Sequence, residues 1–228
     1  MYAGVPTLRW IRGMRYRDRA VLDYSRLRWY RDETTAYRLT ADYLLPWALR
    51  PLARVTVTGL EHVPPSGPVI LAANHRDNLD AFLLAHLVPR FLHFAARRDG
   101  FGTGGLCAFW RRLGAFPADA WGIRYALNLL ADGGVVALFP QGTISSDLDT
   151  KCGAAGLLAL YSGAPVVPIG IRGTDAVHLS SLLLGRQAIR VRFGAPVSFT
   201  RGGQSAPRGR EVTREILRHI DALLTDKG

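Results

Sequence analysis

Lysine is nearly missing from this 228-residue chain. Lys151 and Lys227 are the only two, although lysine and arginine together number 29 against 18 acidic residues. The net charge of +11 and the pI near 10.4 therefore rest almost wholly on arginine. A bias toward arginine would explain its replacing lysine but not the excess over acid. The excess points to an anionic partner, whether nucleic acid, anionic lipid or a phosphorylated cofactor. Cysteine is scarce too. Cys107 and Cys152 are too few and too far apart for a metal cluster or a disulfide framework, and read as small buried hydrophobes in a reducing compartment. No apolar run is long enough to suggest a membrane span: the longest uncharged stretch, Gly153 to Ile171, carries Gly163, Pro165 and Pro168 and reads as helix, turn and strand. Met1 to Arg31 is broken by arginines and has no apolar core, so no secretory signal is expected. The expected location is cytoplasmic, with peripheral contact on the inner face of the cell membrane.

What is present is the composition of a folded protein, 48% hydrophobic and 21% charged, at a length suited to a single domain with a sizeable core. Residues 1–54 form a basic, aromatic segment expected to be helical. Arginines at 9, 12, 15, 17, 19, 26, 28, 31 and 38 alternate with Trp10, Tyr16, Tyr24, Trp29, Tyr30 and Tyr37, and Tyr43 to Leu49 is apolar and aromatic. Such a mixture suits a membrane interface, with rings at headgroup depth and guanidinium groups on phosphate. It equally suits a helix pair packed over the domain, and less well a surface stacking on single-stranded nucleic acid, which is not the expected partner.

From residue 55 to 228 short apolar runs alternate with helical patterns. Strands are expected at Val55–Gly59, Val69–Ala73, Leu92–Ala96, Val135–Phe139, Val166–Ile171 and Ile189–Phe193. Helices are expected from Asp80 to Leu87, Leu106 to Leu113, Ile123 to Ala131, Ala154 to Tyr161 and Glu211 to Leu224. The reading is an α/β domain whose mostly parallel sheet is covered by helices on both faces, preceded by the N-terminal helical segment.

In such a sheet the site lies at the carboxyl ends of the strands. Directly after the second strand stands Asn74-His75-Arg76-Asp77-Asn78-Leu79-Asp80. Five residues turn an ideal helix by about 500°, which would leave His75 and Asp80 roughly 140° apart. They share a site if His75 lies on the loop leaving the strand and Asp80 on the first helical turn, with Asn78 or Asp77 capping that helix. An imidazole oriented by a carboxylate is how a general base is built, because the carboxylate fixes the tautomer and stabilises imidazolium. A second loop, Phe139-Pro140-Gln141-Gly142-Thr143, follows another strand end. It is either a plain strand-to-helix turn or a donor-rich loop whose free N–H groups hold an oxyanion or phosphate. No metal-ligand constellation is apparent.

The order and spacing of four blocks resemble the glycerolipid (1-acylglycerol-3-phosphate / lysophospholipid) acyltransferase family. Asn74-His75 to Asp80 resembles its catalytic block and Gly114-Ala115-Phe116-Pro117-Ala118-Asp119 its second. Phe139 to Thr143 resembles its third and Val167-Pro168-Ile169-Gly170-Ile171 its fourth, with Lys151 where the family has a lysine before the next helix. The resemblance covers roughly Val55 to Val197. It implies that His75 is the general base, that Asp80 orients it, and that the acceptor attacks the thioester of acyl-CoA or acyl carrier protein directly. It further implies that Asn74, Phe116, Asp119, Phe139, Pro140, Gln141, Gly142, Thr143, Lys151 and Pro168 line the substrate site. Arg97 and Arg98 are candidates for the phosphorylated pantetheine, or are solvated surface charge. No cofactor beyond the thioester co-substrate is implied; the implied partners are that donor, a lipid-like acceptor and an anionic membrane surface.

The chain departs from the family where the acceptor's phosphate would be held. Ala120 and Ile144 stand where the family has arginine, and Gln141 where it has glutamate. Alanine and isoleucine cannot make a bidentate guanidinium–phosphate contact. Arg124 or Arg172 is a candidate to compensate. A hydroxyl or amine acceptor is expected, with or without phosphate; the non-enzyme alternative is an inactive relative binding anionic lipid or nucleic acid. His75-Arg76-Asp77 mimics a kinase catalytic loop, but no Gly-rich phosphate loop or Asp-Phe-Gly accompanies it. No Gly-x-Ser-x-Gly or P-loop is present either.

Overall fold

The structure is a computed structural model that describes residues 35–96, 113–148, 153–178, 186–200 and 209–225. The strands β1 (Ala53–Thr58), β2 (Val69–Ala73), β3 (Leu92–Ala96), β4 (Ala115–Pro117), β5 (Val135–Leu138), β6 (Val166–Arg172) and β7 (Gln187–Phe193) form one sheet. Their order is β1-β7-β6-β2-β5-β3-β4. All neighbouring pairs run parallel except β6 with β7. At the centre lies β2, every residue buried, as a strand between two parallel neighbours and two helical layers must be.

Alternation along the strands divides the core. Leu71, Ala73, Ile169, Ile171, Ile189 and Val191 pack on one face against Leu83 and Leu84 of α3 (Leu79–Leu87). The same cluster takes Leu45 and Leu49 of the N-terminal helical stretch, made of α1 (Thr35–Arg38), a π-helix (Leu39–Leu44) and α2 (Leu45–Leu49). On the opposite face Ile70, Ala72, Val136 and Leu138 meet α4 (Ala120–Ala131), α5 (Ala154–Ser162) and α6 (Gly209–Thr225). The chain is thus an α/β domain with a mostly parallel sheet covered on both faces.

The differences from expectation have physical causes. The segment boundary placed between residues 54 and 55 falls inside β1, because Ala53 and Arg54 already pair with β7. β4 was not read as a strand: three residues between Gly114 and Pro117 are too short to show a period. α4 begins three residues early because Asp119 caps it, accepting from Trp121 N at 3.0 Å and Gly122 N at 2.9 Å. At α3 the cap is Asp77, whose Oδ1 accepts from Leu79 N at 2.9 Å, while Asn78 makes no such bond. Apart from Leu113, the helix expected over Leu106–Leu113 lies outside the described residues, as do Cys107 and Cys152.

Candidate active site

Asn74 follows the last residue of β2 and is buried. Its Nδ2 donates to Ile171 O at 2.8 Å and its Oδ1 accepts from Ile171 N at 2.7 Å. A side-chain amide here does what a strand backbone would do, carrying the β2–β6 pairing beyond Ala73 and Ile169. The chain then leaves the sheet at His75, held by the loop after β5. His75 N donates to Gln141 Oε1 at 2.6 Å, and Ser145 N donates to His75 O at 2.9 Å. Gln141 is the hub of that loop, because its Nε2 donates to Ser145 O at 2.9 Å and Asp147 O at 2.6 Å.

With the backbone fixed, the ring is fixed too. It stacks on Phe139 with centroids 3.9 Å apart and planes 11° off parallel. Nδ1 lies 3.0 Å from Asp80 Oδ2, on the first turn of α3. Asp80 is fully buried, and Oδ2 also accepts from Arg76 N at 2.7 Å and Asp77 N at 2.9 Å. An ionised carboxylate only accepts, so Nδ1 carries the hydrogen and Nε2 keeps its lone pair. The His75 side chain retains 16% exposure against none for Asp80, so the imidazole is reachable from solvent and the carboxylate behind it is not.

The Phe139 loop opens with a turn in which Gly142 N donates to Phe139 O at 2.9 Å, with Pro140 at the second position. Gly142 takes φ of 73°, which a side chain would strain. Its own N–H is therefore not one of the free donors expected here. The N–H groups of Gln141, Thr143 and Ile144 have no hydrogen-bond partner among the described residues, and of these residues Thr143 and Ile144 are exposed.

The structure gathers His75, Asp80, Phe139, Pro140, Gln141, Gly142 and Thr143 into one place, and gives several of the expected site residues structural partners. Asn74 and Gln141 hold backbone: the Asn74 amide exchanges one bond in each direction with Ile171, and both N–H bonds of Gln141 are engaged within its loop. Asp119 is a helix cap. Phe116 is buried on β4, three strands from β2 in the sheet order, or about 14 Å at the usual strand spacing. Pro168 is buried inside β6, where Val166 bridges to Val197 and Ile169 pairs with Phe193. Only the Pro168 carbonyl spans that interruption, accepting from Gly194 N at 2.8 Å. Arg97, Arg98 and Lys151 lie outside the described residues. Sequence reasoning missed Ser145 and Asp175, the latter gripping Arg76 through Oδ2 (Nη2 at 2.7 Å, Nε at 3.2 Å). Asp175 is 99 positions from Arg76, and no local pattern marks the pair.

A family model described as Acyltransferase matches residues 54–172. The chain is 29% identical over 129 residues to a 1-acyl-sn-glycerol-3-phosphate acyltransferase of Bacillus subtilis (strain 168), covering 54% of this chain and 64% of that protein. It is 34% identical over 128 residues to the alpha 1-acyl-sn-glycerol-3-phosphate acyltransferase of Homo sapiens, covering 51% and 44%. The match thus spans less than two thirds of those relatives' lengths. Among solved structures it resembles the 1-acyl-sn-glycerophosphate (LPA) acyltransferase PlsC from Thermotoga maritima, with a TM-score of 0.59 at 23% identity over 83% of this chain and 79% of that one. At that identity the likeness is one of fold.

Proposed function

The chain belongs to the acyltransferase family, and from that premise we propose that it moves a fatty acyl group from a thioester to a hydroxyl or amine of a lipid-like acceptor. The thioester is carried by coenzyme A or acyl carrier protein. The observation that carries this reading is the His75–Asp80 pair, 3.0 Å apart, buried on the acid's side and open on the base's. His75 Nε2 takes the proton of the acceptor hydroxyl as its oxygen attacks the thioester carbonyl. The carbonyl oxygen becomes an oxyanion for which the N–H groups of Thr143 and Ile144 are the candidate donors. Collapse re-forms the carbonyl, breaks the C–S bond and expels a thiolate, which takes the proton back from the imidazolium. Asp80 stays ionised throughout and stabilises the charged ring.

The relatives' names point to a 1-acylglycerol phosphate acceptor. Ala120, Gln141 and Ile144 argue that the phosphate is held differently here or not at all. Ile144 is 46% exposed, with no cation in its place, and the Gln141 N–H groups are engaged within the loop. A peripheral membrane position is supported by Leu39, Tyr43, Leu44 and Trp47, exposed by 56, 69, 58 and 77% on one short helical stretch. Among the described residues no helix is long and apolar enough to cross a membrane.

The test is intact-mass analysis of products from acyl-CoA and acyl carrier protein donors, offered with matched acceptors that do and do not carry phosphate. The expected result is one acyl chain added, with kcat/KM for the phosphorylated acceptor within about tenfold of its dephosphorylated twin. No product from any pair would overturn the reading. A larger preference for phosphate would show that a cation elsewhere has rebuilt the clamp.

A further inference from the structure

On the α4–α6 face, the sheet beyond α6 carries arginine where a core would carry leucine. Arg54, Thr56, Thr58 and Arg190 are exposed there, and Arg190 stands directly across the β6–β7 ladder from Arg172, itself exposed. Arg192, opposite Gly170, is next along the same face. Arg172, Arg190 and Arg192 line a shallow depression, open to solvent, with Gly170, Leu223 and Leu224. Like charges directly opposite across a ladder destabilise a sheet. Arg172 and Arg190 have no ion-pair partner among the described residues. The nearby acid Asp175 is committed to Arg76 at 2.7 Å. Arg192 is anchored by its Nη1, which donates to Leu223 O at 3.4 Å. Two unpaired guanidinium groups on adjacent strands form a fork suited to a phosphate.

Its position is tied to the catalytic loop. Asn74 clasps Ile171 and Arg76 grips Asp175, so Arg172 lies on β6 between these two staples, one strand from His75. Yet Arg172 shares the face of Gly170, which packs on Leu223 of α6, whereas Asp80 and Phe139 belong to the α3 side. An acceptor phosphate sits within a few bonds of the reacting hydroxyl and would stay on the α3 side. The exposed apolar stretch from Leu39 to Trp47 is on that side too, so a bilayer there cannot also cover the arginines. What can reach both is a long ligand laid over the edge of the sheet.

We infer that Arg172 and Arg190, backed by Arg192, form a phosphate cradle for the phosphorylated pantetheine arm of the thioester donor. This rests on the acyl-transfer reading above, but its test does not depend on turnover. Calorimetry of coenzyme A, 4′-phosphopantetheine and pantetheine is compared for the wild type, an Arg172→Gln/Arg190→Gln double variant and Arg124→Gln as a control. Wild type and the control bind the phosphorylated ligands more than tenfold tighter than pantetheine, and the double variant loses that margin. Thermal melting shows the double variant at least as stable as wild type, because a like-charge pair has been removed. Adding holo-acyl carrier protein as a ligand tells which donor brings the phosphate. An unchanged margin in the double variant overturns the cradle. His75→Ala keeps the margin while losing transfer; a wild type that shows the margin yet transfers nothing refutes the acyl-transfer reading and leaves the cradle standing.

Discussion

His75 is gripped at its backbone N–H, its carbonyl, its Nδ1 and the face of its ring, by Gln141, Ser145, Asp80 and Phe139. Such holding fixes the imidazole in one orientation, and on the proposed role of base its removal should be felt in turnover and not in folding. His75→Ala is expected to lower kcat/KM by roughly 10²–10⁴-fold, with an unchanged circular dichroism spectrum. Asp80→Asn is expected to lose less, because the base remains and only its charged orienter is gone. Activity of His75→Ala within a few-fold of wild type would sink the assignment. The pair was legible because five positions bring a strand-end loop back to the first helical turn. The holding role of Gln141 was not, since its partner carbonyls at Ser145 and Asp147 belong to an irregular loop with no pattern to read. A different histidine is expected to contribute to acid sensitivity. His93 is buried beside the Tyr125 hydroxyl at 3.0 Å, and burial lowers its pKa from 6.5 to about 4. Above pH 6.5 both folded and unfolded chains hold it neutral. Below that the unfolded chain takes a proton the folded one refuses, so stability falls between pH 6.5 and 4 and levels off beneath. The drop amounts to roughly 3 kcal/mol. Urea melts across that range should show a shallower pH slope for His93→Gln; parallel slopes would remove His93 as the cause.

Among the elements, the long apolar runs told their own story and the short or relational ones did not. The second strand, expected at Val69–Ala73, forms there because a wholly apolar five-residue run bounded by turn residues suits a buried parallel strand. The antiparallel direction of β7 was not in its composition, because strand polarity depends on the connection before it. β4 is hidden behind a proline-bounded motif, and nothing in that motif distinguishes the helix cap Asp119 from a substrate ligand. The packing of α5 on α6 also rests on a residue with no periodic signature. Gly156 N donates to Thr213 Oγ1 at 2.9 Å, and a Cβ at Gly156 would stand 2.0 Å from Gly209 O. In an exposed helix, Gly→Ala would gain up to about 1 kcal/mol from propensity. Here the overlap with α6 backbone should outweigh it, and Gly156→Ala is expected to lose about 1–3 kcal/mol net. A fall of several degrees in the melting temperature checks this; a rise would mean that α6 shifts freely.

At the scale of the whole molecule the two faces of the sheet have opposite characters. α2 packs through Leu45 and Leu49 into the cluster that holds Leu83, Leu84 and Phe139, while Leu44 and Trp47 of the same helical stretch are exposed. Phe139 is the ring on which His75 stacks, so a lipid drawn from a bilayer on this side arrives on the side of the base. The positive charge of the sheet lies on the other face, at Arg172, Arg190 and Arg192. Vesicle binding should therefore have two separable parts. The first comes from burying Leu39, Tyr43, Leu44 and Trp47 at the headgroup boundary; apolar burial is not screened by salt, so it should persist at high ionic strength. The second comes from the arginines of residues 1–38 on anionic headgroups, at about 1 kcal/mol each near the surface, and it should fade as salt rises. Trp47→Ser and Leu44→Ser are each expected to weaken co-sedimentation with neutral vesicles by about tenfold, since fully burying a large apolar side chain is worth about 1.5–3 kcal/mol and each inserts only in part. Arg172→Gln/Arg190→Gln is expected to leave vesicle binding unmoved at any salt. If the double variant detaches the protein from anionic vesicles and the Trp47 change does not, the bilayer lies on the arginine face and the assignment of the two sides must be reversed.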